Sequence, residues 1–252
     1  MTFEITGNGN IVWKASNAAY TVTIEYSKDN GSTWTSITSN TGSSAPSITV
    51  VSGDIVQFRG DNVQYGTSSS NYNTFNGSTA QFKVKGNIMS LIDSTNFSTL
   101  TTLSSAYTFC NLFNLCTGLT DASELLLPAT TLTKWCYFYM FIDCKSLTQA
   151  PSLPVTTLTN GCYSEMFRNC TSLTTAPELP ATSLAERCYQ GMFRNCDNLN
   201  YIRCLATDIS ARYCTSDWVS GVLSTGTFVT PSSTAWTTGT GGIPNGWTRV
   251  DA

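Results

Sequence analysis

Residues 162–170 read CYSEMFRNC, and closely similar nonapeptides stand at residues 136–144 (CYFYMFIDC) and 188–196 (CYQGMFRNC). The three nonapeptides lie 26 residues apart, and the whole unit repeats without a gap. One unit offers about seven apolar side chains, whose burial stabilises by about 14 kcal/mol, whereas ordering its chain costs on the order of 40 kcal/mol. A single unit therefore cannot fold alone. The sequence predicts that the units stack as a solenoid and share one apolar interior.

Each unit carries the same framework around the nonapeptide. A Leu-Pro pair opens the unit, a second leucine follows five positions after the first, and a further leucine follows the nonapeptide. The Leu-Pro leucines are Leu127, Leu153 and Leu179. Because proline lacks a donor for a strand ladder, the runs TQAPSL and TTAPEL are interpreted as brief strands that end at an edge turn. The mixed periodicity of the nonapeptide leaves open a turn of helix or a second short extended segment.

Weaker copies flank the three units. Before them, Cys110, Phe113 and Cys116 outline a degenerate copy. After them, Cys214 keeps the phase, and Trp218 stands in the methionine position of the nonapeptide. Terminal copies of a stacked array are expected to depart from the consensus, because they cap it.

The rest of the chain predicts two further parts. Residues 1–88 hold short β-rich runs such as TVTIEY and IVQFRG between Gly, Asn and Ser turns, which is typical of a β-sandwich of immunoglobulin-like size. Residues 89–224 hold the repeats, and residues 225–252 hold two strand-like pieces that would close the open end of the stack. The predicted fold is therefore mainly β: a sandwich, a leucine-rich-repeat solenoid and a C-terminal β cap.

The repeat resembles the BspA-like leucine-rich repeats of surface proteins from gut and oral anaerobes, and of phages and prophages of those bacteria. The resemblance is carried by Leu-Pro, the leucine five positions on, and M-F-x-x-C followed by leucine, over roughly residues 98–220. It implies a curved, β-rich solenoid that serves adhesion or partner binding and has no enzymatic activity. The 26-residue period is longer than that of the commoner unit in that family.

Composition narrows the classes of partner. The net charge is −3, and no cluster of Lys and Arg is present, so nucleic acid is not an expected partner. No apolar run reaches the roughly 18–20 residues that span a bilayer, so membrane insertion is not expected. The stretch MTFEITGNGN has neither the basic nor the apolar region of a signal peptide. Localisation at a cell surface or outside the cell, or in a virion, is the expectation.

Enzymatic activity is not expected either. Histidine is absent, which removes Ser-His-Asp and Cys-His catalysis. The acidic residues of the repeats fall at differing phases, so the repeat fixes no carboxylate pair of the kind a glycosidase needs. The octet SKDNGSTW at residues 27–34 fits an Asp box of sialidase blades, but it occurs once. A hairpin turn is the preferred interpretation, with a carbohydrate-binding loop as the alternative. No cofactor and no metal are expected.

The ten cysteines form two periodic series. One series has a strict 26-residue spacing, and the other shares the period except that Cys116 is two residues out of step. The first series is Cys110, Cys136, Cys162, Cys188 and Cys214; the second is Cys116, Cys144, Cys170 and Cys196. Buried free thiols, disulfides between coils and a zinc site are the three interpretations, in that order of preference. Cys204 belongs to neither series and is expected to be exposed, because it aligns with Ser152 and Glu178.

Two sets of residues are candidates for binding a ligand. The first set holds the variable positions of the brief strands: Gln149, Ser152, Thr175, Glu178 and Tyr201. The second set is the periodic tyrosines, interpreted either as a ladder half-buried at a coil corner, which is preferred, or as an exposed aromatic strip that holds a sugar or peptide: Tyr137, Tyr163 and Tyr189. The predicted function is non-enzymatic recognition of a cell-surface glycan or protein through the solenoid. The alternative is a structural, fibre or host-attachment component of a phage virion, with other virion proteins as partners.

Overall fold

A computed structural model describes residues 1–252 and confirms that the chain is mainly β. Helical structure is limited to three short 3₁₀ turns at Gly42–Ser44, Ile88–Leu91 and Phe97–Thr99, and no helix is long and apolar enough to cross a bilayer. The strands are β1 (Thr2–Gly7), β2 (Gly9–Val12), β3 (Lys14–Ala15), β4 (Thr23–Ser27), β5 (Thr35–Thr38), β6 (Ser47–Val50), β7 (Ile55–Arg59), β8 (Asn73–Thr74), β9 (Gln81–Asn87), β10 (Leu119–Asp121), β11 (Leu125–Leu126), β12 (Tyr201–Arg203), β13 (Thr227–Thr230) and β14 (Thr248–Asp251).

The N-terminal region is built on an antiparallel sheet in the order β9-β1-β7-β4-β5, beside two small sheets, β2-β6 and β3-β8. Strand β1 alternates buried Phe3 and Ile5 with partly exposed Glu4, as expected for a strand with one face on a core. Phe3 pairs with Val56 of β7 and with Val84 of β9. The apolar face of this sheet is therefore fixed by long-range pairing.

Strand β9 connects the antiparallel N-terminal sheet to the parallel strands of the repeats. It pairs antiparallel with β1 on one side, and parallel with β10 and β11 on the other. The aromatic core also joins the N-terminal region to the first ribbon, because Phe75 stacks on Phe113 at 5.8 Å and Tyr65 stacks on Phe109 at 6.1 Å. The boundary predicted at residue 88 thus falls directly after β9, in a region where one apolar core is continuous.

The nonapeptides form neither a helical turn nor an extended strand. Each lies in a run of overlapping reverse turns, which we call a turn ribbon; the turn ribbons are residues 107–116, 135–144, 161–170, 187–196 and 213–221. Within a ribbon, alternate amides donate to the carbonyl three residues earlier, as Met140 does to Tyr137. The amides between them donate to the next ribbon, as Phe141 does to Met166. Every backbone amide in the regular ribbon therefore has a partner.

The turn ribbons also have a regular backbone conformation. Every fourth residue has a positive φ, as in Gly161 (62°), Glu165 (50°) and Asn169 (61°). A positive φ at the third residue of a turn is the requirement of a type II turn, so type II turns alternate with turns that lack it. This period of four cannot be produced by a helix or a strand, which explains the mixed periodicity of the sequence.

Ribbons lie one above the next, and their aromatic rings stack. Phe141, Phe167 and Phe193 are fully buried, with ring centroids 5.5 and 5.8 Å apart and planes within 4° of parallel. A second column contains Tyr137, Tyr163 and Tyr189. At the far end, Trp218 contacts both columns, at 6.2 Å from Tyr189 and from Phe193. We call residues 98–251, which these columns hold together, the repeat stack.

The segments between the ribbons form a second ladder. One part runs from β9 through β10 and β11 to the segment 148–154, and a second part runs from the segment 174–180 to the parallel sheet β12-β13-β14. Single parallel bridges join Asp121 to Gln149, and Thr175 to Tyr201. The C-terminal segment therefore adds two strands, β13 and β14, to the repeat stack.

Candidate binding surface

The predicted strand-face residues lie on the second ladder of the repeat stack. Gln149, Ser152, Thr175 and Glu178 are exposed, and Tyr201 is partly exposed. They occupy three successive coils, because Thr175 forms a bridge with Tyr201 and Gln149 lies one coil earlier. Ser152 and Glu178 are brought to the same cleft, while Gln149, Thr175 and Tyr201 lie outside its lining.

This cleft lies between the segments 148–154 and 174–180. It has a volume of about 350 Å³ and opens to solvent. Four of its eight lining residues are prolines, and we call it the proline cleft; it is lined by Ala150, Pro151, Ser152, Leu153, Pro154, Pro177, Glu178 and Pro180. Its walls are the apolar pyrrolidine rings, and its polar side chains are a hydroxyl and a carboxylate.

The proline cleft marks an interruption of the second ladder. No backbone hydrogen bond joins residues 145–158 to residues 171–184, and residues 150–158 make no backbone hydrogen bond at all. The next pair of segments is closed, since Ala176 donates to Tyr201 at 2.9 Å and Leu179 donates to Arg203 at 3.0 Å. The segments that form the two walls of the cleft are therefore not joined to each other by backbone hydrogen bonds.

The sequence explains where the interruption occurs. Only two segments of the chain read A-P-x-L-P, namely 150–154 (APSLP) and 176–180 (APELP), and they lie on adjacent coils. Proline has no amide hydrogen, and its ring needs room between chains that are about 4.8 Å apart in a bonded ladder. Two prolines facing two prolines thus prevent the ladder from closing. Matching segments of this kind were the sequence signal for the cleft.

Charge at the proline cleft is local. Glu178 forms an ion pair with Arg203 of the next coil, at 3.2 Å between Oε2 and Nε. The Glu178 side chain is 55% exposed, so its other oxygen remains available at the rim of the cleft. An exposed pair of this kind contributes little to stability. The carboxylate is better suited to accept a hydrogen bond from a ligand.

The prediction that Tyr137, Tyr163 and Tyr189 form an exposed strip is wrong. Their side chains are at most 2% exposed, and their rings stack inside the repeat stack at 5.6 and 6.3 Å. The alternation of turns in the ribbon points the tyrosine position inward, beside the phenylalanine column. Burial also raises the pKa of all three hydroxyls well above the usual range. These tyrosines are core residues.

All ten cysteines are free and buried, which agrees with the buried-thiol interpretation. The thiols of Cys144 and Cys170 donate to the carbonyls of Phe113 and Phe141, at 3.0 and 3.1 Å. No group of three or more His, Cys, Asp or Glu side chains is placed to hold a metal ion. The thiols therefore pack as small apolar side chains with a weak donor.

Two details of the cysteine prediction are wrong. The first ribbon is offset by 28 residues, since Phe113 stacks on Phe141; Cys116 is therefore in step with Cys144, and Cys110 leaves its series. Cys204 is fully buried rather than exposed. The register slips by one residue before it, so that it pairs with buried Leu179 rather than with exposed Glu178. Burial raises the pKa of its thiol to about 12.

The Asp box forms the turn of the hairpin between β4 and β5. Asp29 accepts hydrogen bonds from the Thr33 hydroxyl at 2.6 Å, from the Thr33 amide at 2.9 Å and from the Ser27 hydroxyl at 2.7 Å. These bonds, those from Thr33 first, lower the pKa of Asp29 to about 2. The Trp34 ring lies under the Arg59 guanidinium at 4.0 Å. The side chains of Ser27, Asp29 and Thr33 thus hold the turn.

Sequence reasoning missed a second apolar surface, on the outer side of the first two ribbons. Tyr107, Trp135, Phe138 and Tyr139 are partly exposed and contact one another. Tyr107, Trp135 and Tyr139 also have positive φ values of 57–58°, which favour Gly or Asn over a bulky side chain. The signal was present in the sequence, because the next unit carries Gly, Ser and Glu at the places of Trp135, Phe138 and Tyr139.

Compared with protein-family models, with curated proteins and with solved structures, the chain matches none. The functional proposals below therefore rest on the geometry of the repeat stack and of the proline cleft.

Proposed function

We propose that this protein is a non-enzymatic recognition protein whose repeat stack is a leucine-rich-repeat solenoid of the BspA-like kind. In this proposal the antiparallel sheets of residues 1–88 are a β-sandwich that carries the solenoid and covers its first coil. The solenoid binds a cell-surface glycan or protein. Stacked ribbons and columns of identical rings are the features that support the proposed architecture.

The observation that carries the proposed function is the proline cleft. Segment 174–180 is joined to the following coil by backbone hydrogen bonds, whereas between segments 148–154 and 174–180 there are none, and an open volume of about 350 Å³ lies there. Ligand sites in proteins are concave, largely apolar, and carry a few polar groups that fix orientation. The cleft has this composition, and exposed Gln149 and Thr175, with partly exposed Tyr201, extend the surface along the coils.

A binding screen with matched variants tests this proposal. The wild-type protein is screened on arrays of bacterial and host glycans and of surface proteins. A triple variant, Gln149→Lys with Thr175→Lys and Tyr201→Lys, places three bulky cations on the strand face. We expect this variant to lose the interactions that the wild type shows, because the face is then blocked, while circular dichroism shows an intact fold.

A control variant carries three lysines outside the strand face, at exposed positions: Ser43→Lys, Thr117→Lys and Ser233→Lys. Its net charge changes by the same amount as that of the strand-face variant, and it should bind like the wild type because its lysines lie outside the strand face. If the strand-face variant retains full binding, the strand face is not the recognition surface. If both variants lose binding, the interaction depends on net charge, and the proposed face is overturned.

A further inference from the structure

We infer that the proline cleft accepts an aromatic, hydrogen-bond-donating side chain, an indole or a phenol, from an extended segment of a partner protein. This inference rests on the proposed recognition function and specifies its ligand. It follows from three properties of the cleft: its size, the chemistry of its walls and the imbalance between its donors and acceptors.

The size of the proline cleft suits one large side chain. Its volume of about 350 Å³ is at the lower end of the range for ligand pockets, about 300–1,000 Å³. The rings of Phe141 and Phe167, in the ribbons of the same two coils, stack at 5.5 Å, and this contact opposes a separation of the coils by the width of a strand. A partner therefore inserts a side chain between the walls, while its main chain stays outside.

The walls select a flat ring. Pro151 and Pro154 on one side, and Pro177 and Pro180 on the other, repeat the P-x-x-P spacing on both coils. Segments with this spacing are recognised elsewhere by aromatic side chains that pack against the pyrrolidine rings. None of the eight lining residues is aromatic, so the ring has to come from the partner. A sugar, which packs against aromatic faces, finds none here.

The polar groups of the cleft favour a ligand that donates a hydrogen bond, because acceptors outnumber donors. The eight lining residues contain eight backbone carbonyls but only four backbone amides, because four of them are prolines. None of these carbonyls or amides has a hydrogen-bond partner in the protein. The Glu178 carboxylate adds further acceptor capacity at the rim, since Arg203 faces only its Oε2. An indole N–H or a phenol O–H supplies what this acceptor-rich cleft lacks, and an anionic ligand is disfavoured.

The unpaired residues outside the cleft fit the main chain of the same partner. Residues 150–158 form a continuous segment without backbone hydrogen bonds, and they extend beyond the lining of the cleft. An extended peptide can pair with such a segment through its own main chain, as in β-strand addition. The aromatic side chain would then anchor a short backbone pairing.

The test uses N-acetyl-L-tryptophanamide as the probe, titrated into the ¹⁵N-labelled full chain. We expect shifts of the amide signals of Ser152, Leu153 and Glu178, which line the cleft. N-acetyl-L-leucinamide, an aliphatic probe of the same form, should shift these signals less at equal concentration, because it brings no ring and no ring donor.

The matched variant is Pro151→Arg with Pro154→Ala, which introduces the residues found 26 positions after Pro177 and Pro180, namely Arg203 and Ala206. It should weaken tryptophanamide binding by about tenfold, equivalent to roughly 1.4 kcal/mol, because the ladder closes and one wall is lost. Pro128→Ala, outside the cleft, should leave binding unchanged. If the double variant does not fold, Pro154→Ala alone should give a smaller loss of the same kind.

Three results would overturn the inference: unmoved cleft amides, equal shifts with leucinamide, or unchanged affinity in the double variant. Failure here is distinguishable from failure of the proposed function. If array binding is lost in the lysine variant of the strand face while tryptophanamide leaves the cleft amides unmoved, the face recognises a ligand of another class.

Discussion

The N-terminal sheet and the repeat stack bury aromatic rings in two different ways. In the sheet, Phe3 packs against Phe58, Phe75 and Phe82 at 4.5–4.8 Å, with ring planes inclined between 9° and 63°. In the stack, Phe141 and Phe167 meet at 5.5 Å with planes 4° apart, and the neighbouring pairs repeat this geometry. In the sheet each ring pair has its own packing geometry, whereas in the stack one packing geometry is repeated from coil to coil.

This difference in packing determines how a substitution in each region affects stability. A residue in the sheet has a packing environment that occurs nowhere else in the chain, so the effect of a substitution there is local. A position in a ribbon contacts its own counterparts above and below, so the same chemical change meets the same environment in every coil. Matched substitutions in the two regions should therefore separate local effects from effects set by the repeat.

Alkaline pH should have the largest effect, and it should act through the stack, because all ten cysteines lie between residues 110 and 214. Burial raises the pKa of Cys110, Cys162 and Cys204 from the ordinary value of 9.0 to about 12. The folded protein thus keeps protons that the unfolded chain releases. Stability should be constant below about pH 9 and fall steeply from pH 9 to 12, by about 4 kcal/mol per thiol.

Near-ultraviolet circular dichroism against pH measures this loss. Cys204→Ala removes one thiol from the linkage and should make the decline between pH 9 and 12 shallower. Persistence of native signals at pH 12 would contradict the expectation.

Gly161→Ala should be the most damaging small substitution in a ribbon. Its φ is 62°, and an added Cβ would lie 2.2 Å from the Trp135 ring. Strain and overlap together should cost about 3 kcal/mol, measured by denaturant unfolding. Gly77→Ala in the N-terminal region is the control, because its φ is 87° but nothing lies within 4 Å; it should cost about 1 kcal/mol.

A double variant sharpens this comparison further. Trp135→Gly should relieve most of the cost of Gly161→Ala, because it removes the ring that the new Cβ would strike. Additive costs in the double variant would show that the ring is not the cause.

Tyr137→Phe should stabilise the protein by about 1 kcal/mol, because the buried Tyr137 hydroxyl has no hydrogen-bond partner. Tyr65→Phe in the N-terminal region should have the opposite sign. The Tyr65 hydroxyl donates to the carbonyl of Leu91 at 2.6 Å and accepts from the side-chain amide of Asn62 at 3.2 Å, so its removal loses both bonds. Thermal unfolding of both variants gives the comparison, and equal signs would contradict it.

Leu115→Asn should have the smallest effect, a stabilisation of about 0.5 kcal/mol. Leu115 is 45% exposed and has a φ of 57°, which asparagine tolerates better. Asn169 and Asn195 hold the equivalent position in later ribbons, joined by a side-chain hydrogen bond of 2.9 Å. Chemical unfolding at several denaturant concentrations can detect this change; a loss of stability would show that the leucine has a contact worth more than the strain.

The mainly β class could be predicted from the alternating runs, and the order of Phe141, Phe167 and Phe193 from the strict 26-residue period. The conformation of the ribbons could not, because a repeat of four residues per turn pair resembles neither a helix nor a strand. Cys204 and Cys110 were misplaced for a related reason. Alignment assumes a constant register, whereas the chain slips by one residue before Cys204 and by two residues after the first ribbon.

The strand-face candidates were found because polar residues vary at fixed positions of the repeat. The proline cleft was not, because it depends on two neighbouring units sharing a feature rather than on either unit alone. Likewise, the aromatic surface around Trp135 is visible only where one unit departs from the others.

The alternating amides of the turn ribbons have an evolutionary consequence. In each of the first four ribbons, five backbone amides donate hydrogen bonds to carbonyls of the next coil. The pattern is the same whatever the outward side chains are. One copy can therefore be duplicated or deleted by recombination without new contacts having to evolve. Strand β9 pairs with the first coil and Trp218 packs on the last complete ribbon, so both ends of the stack can stay the same while the number of copies changes.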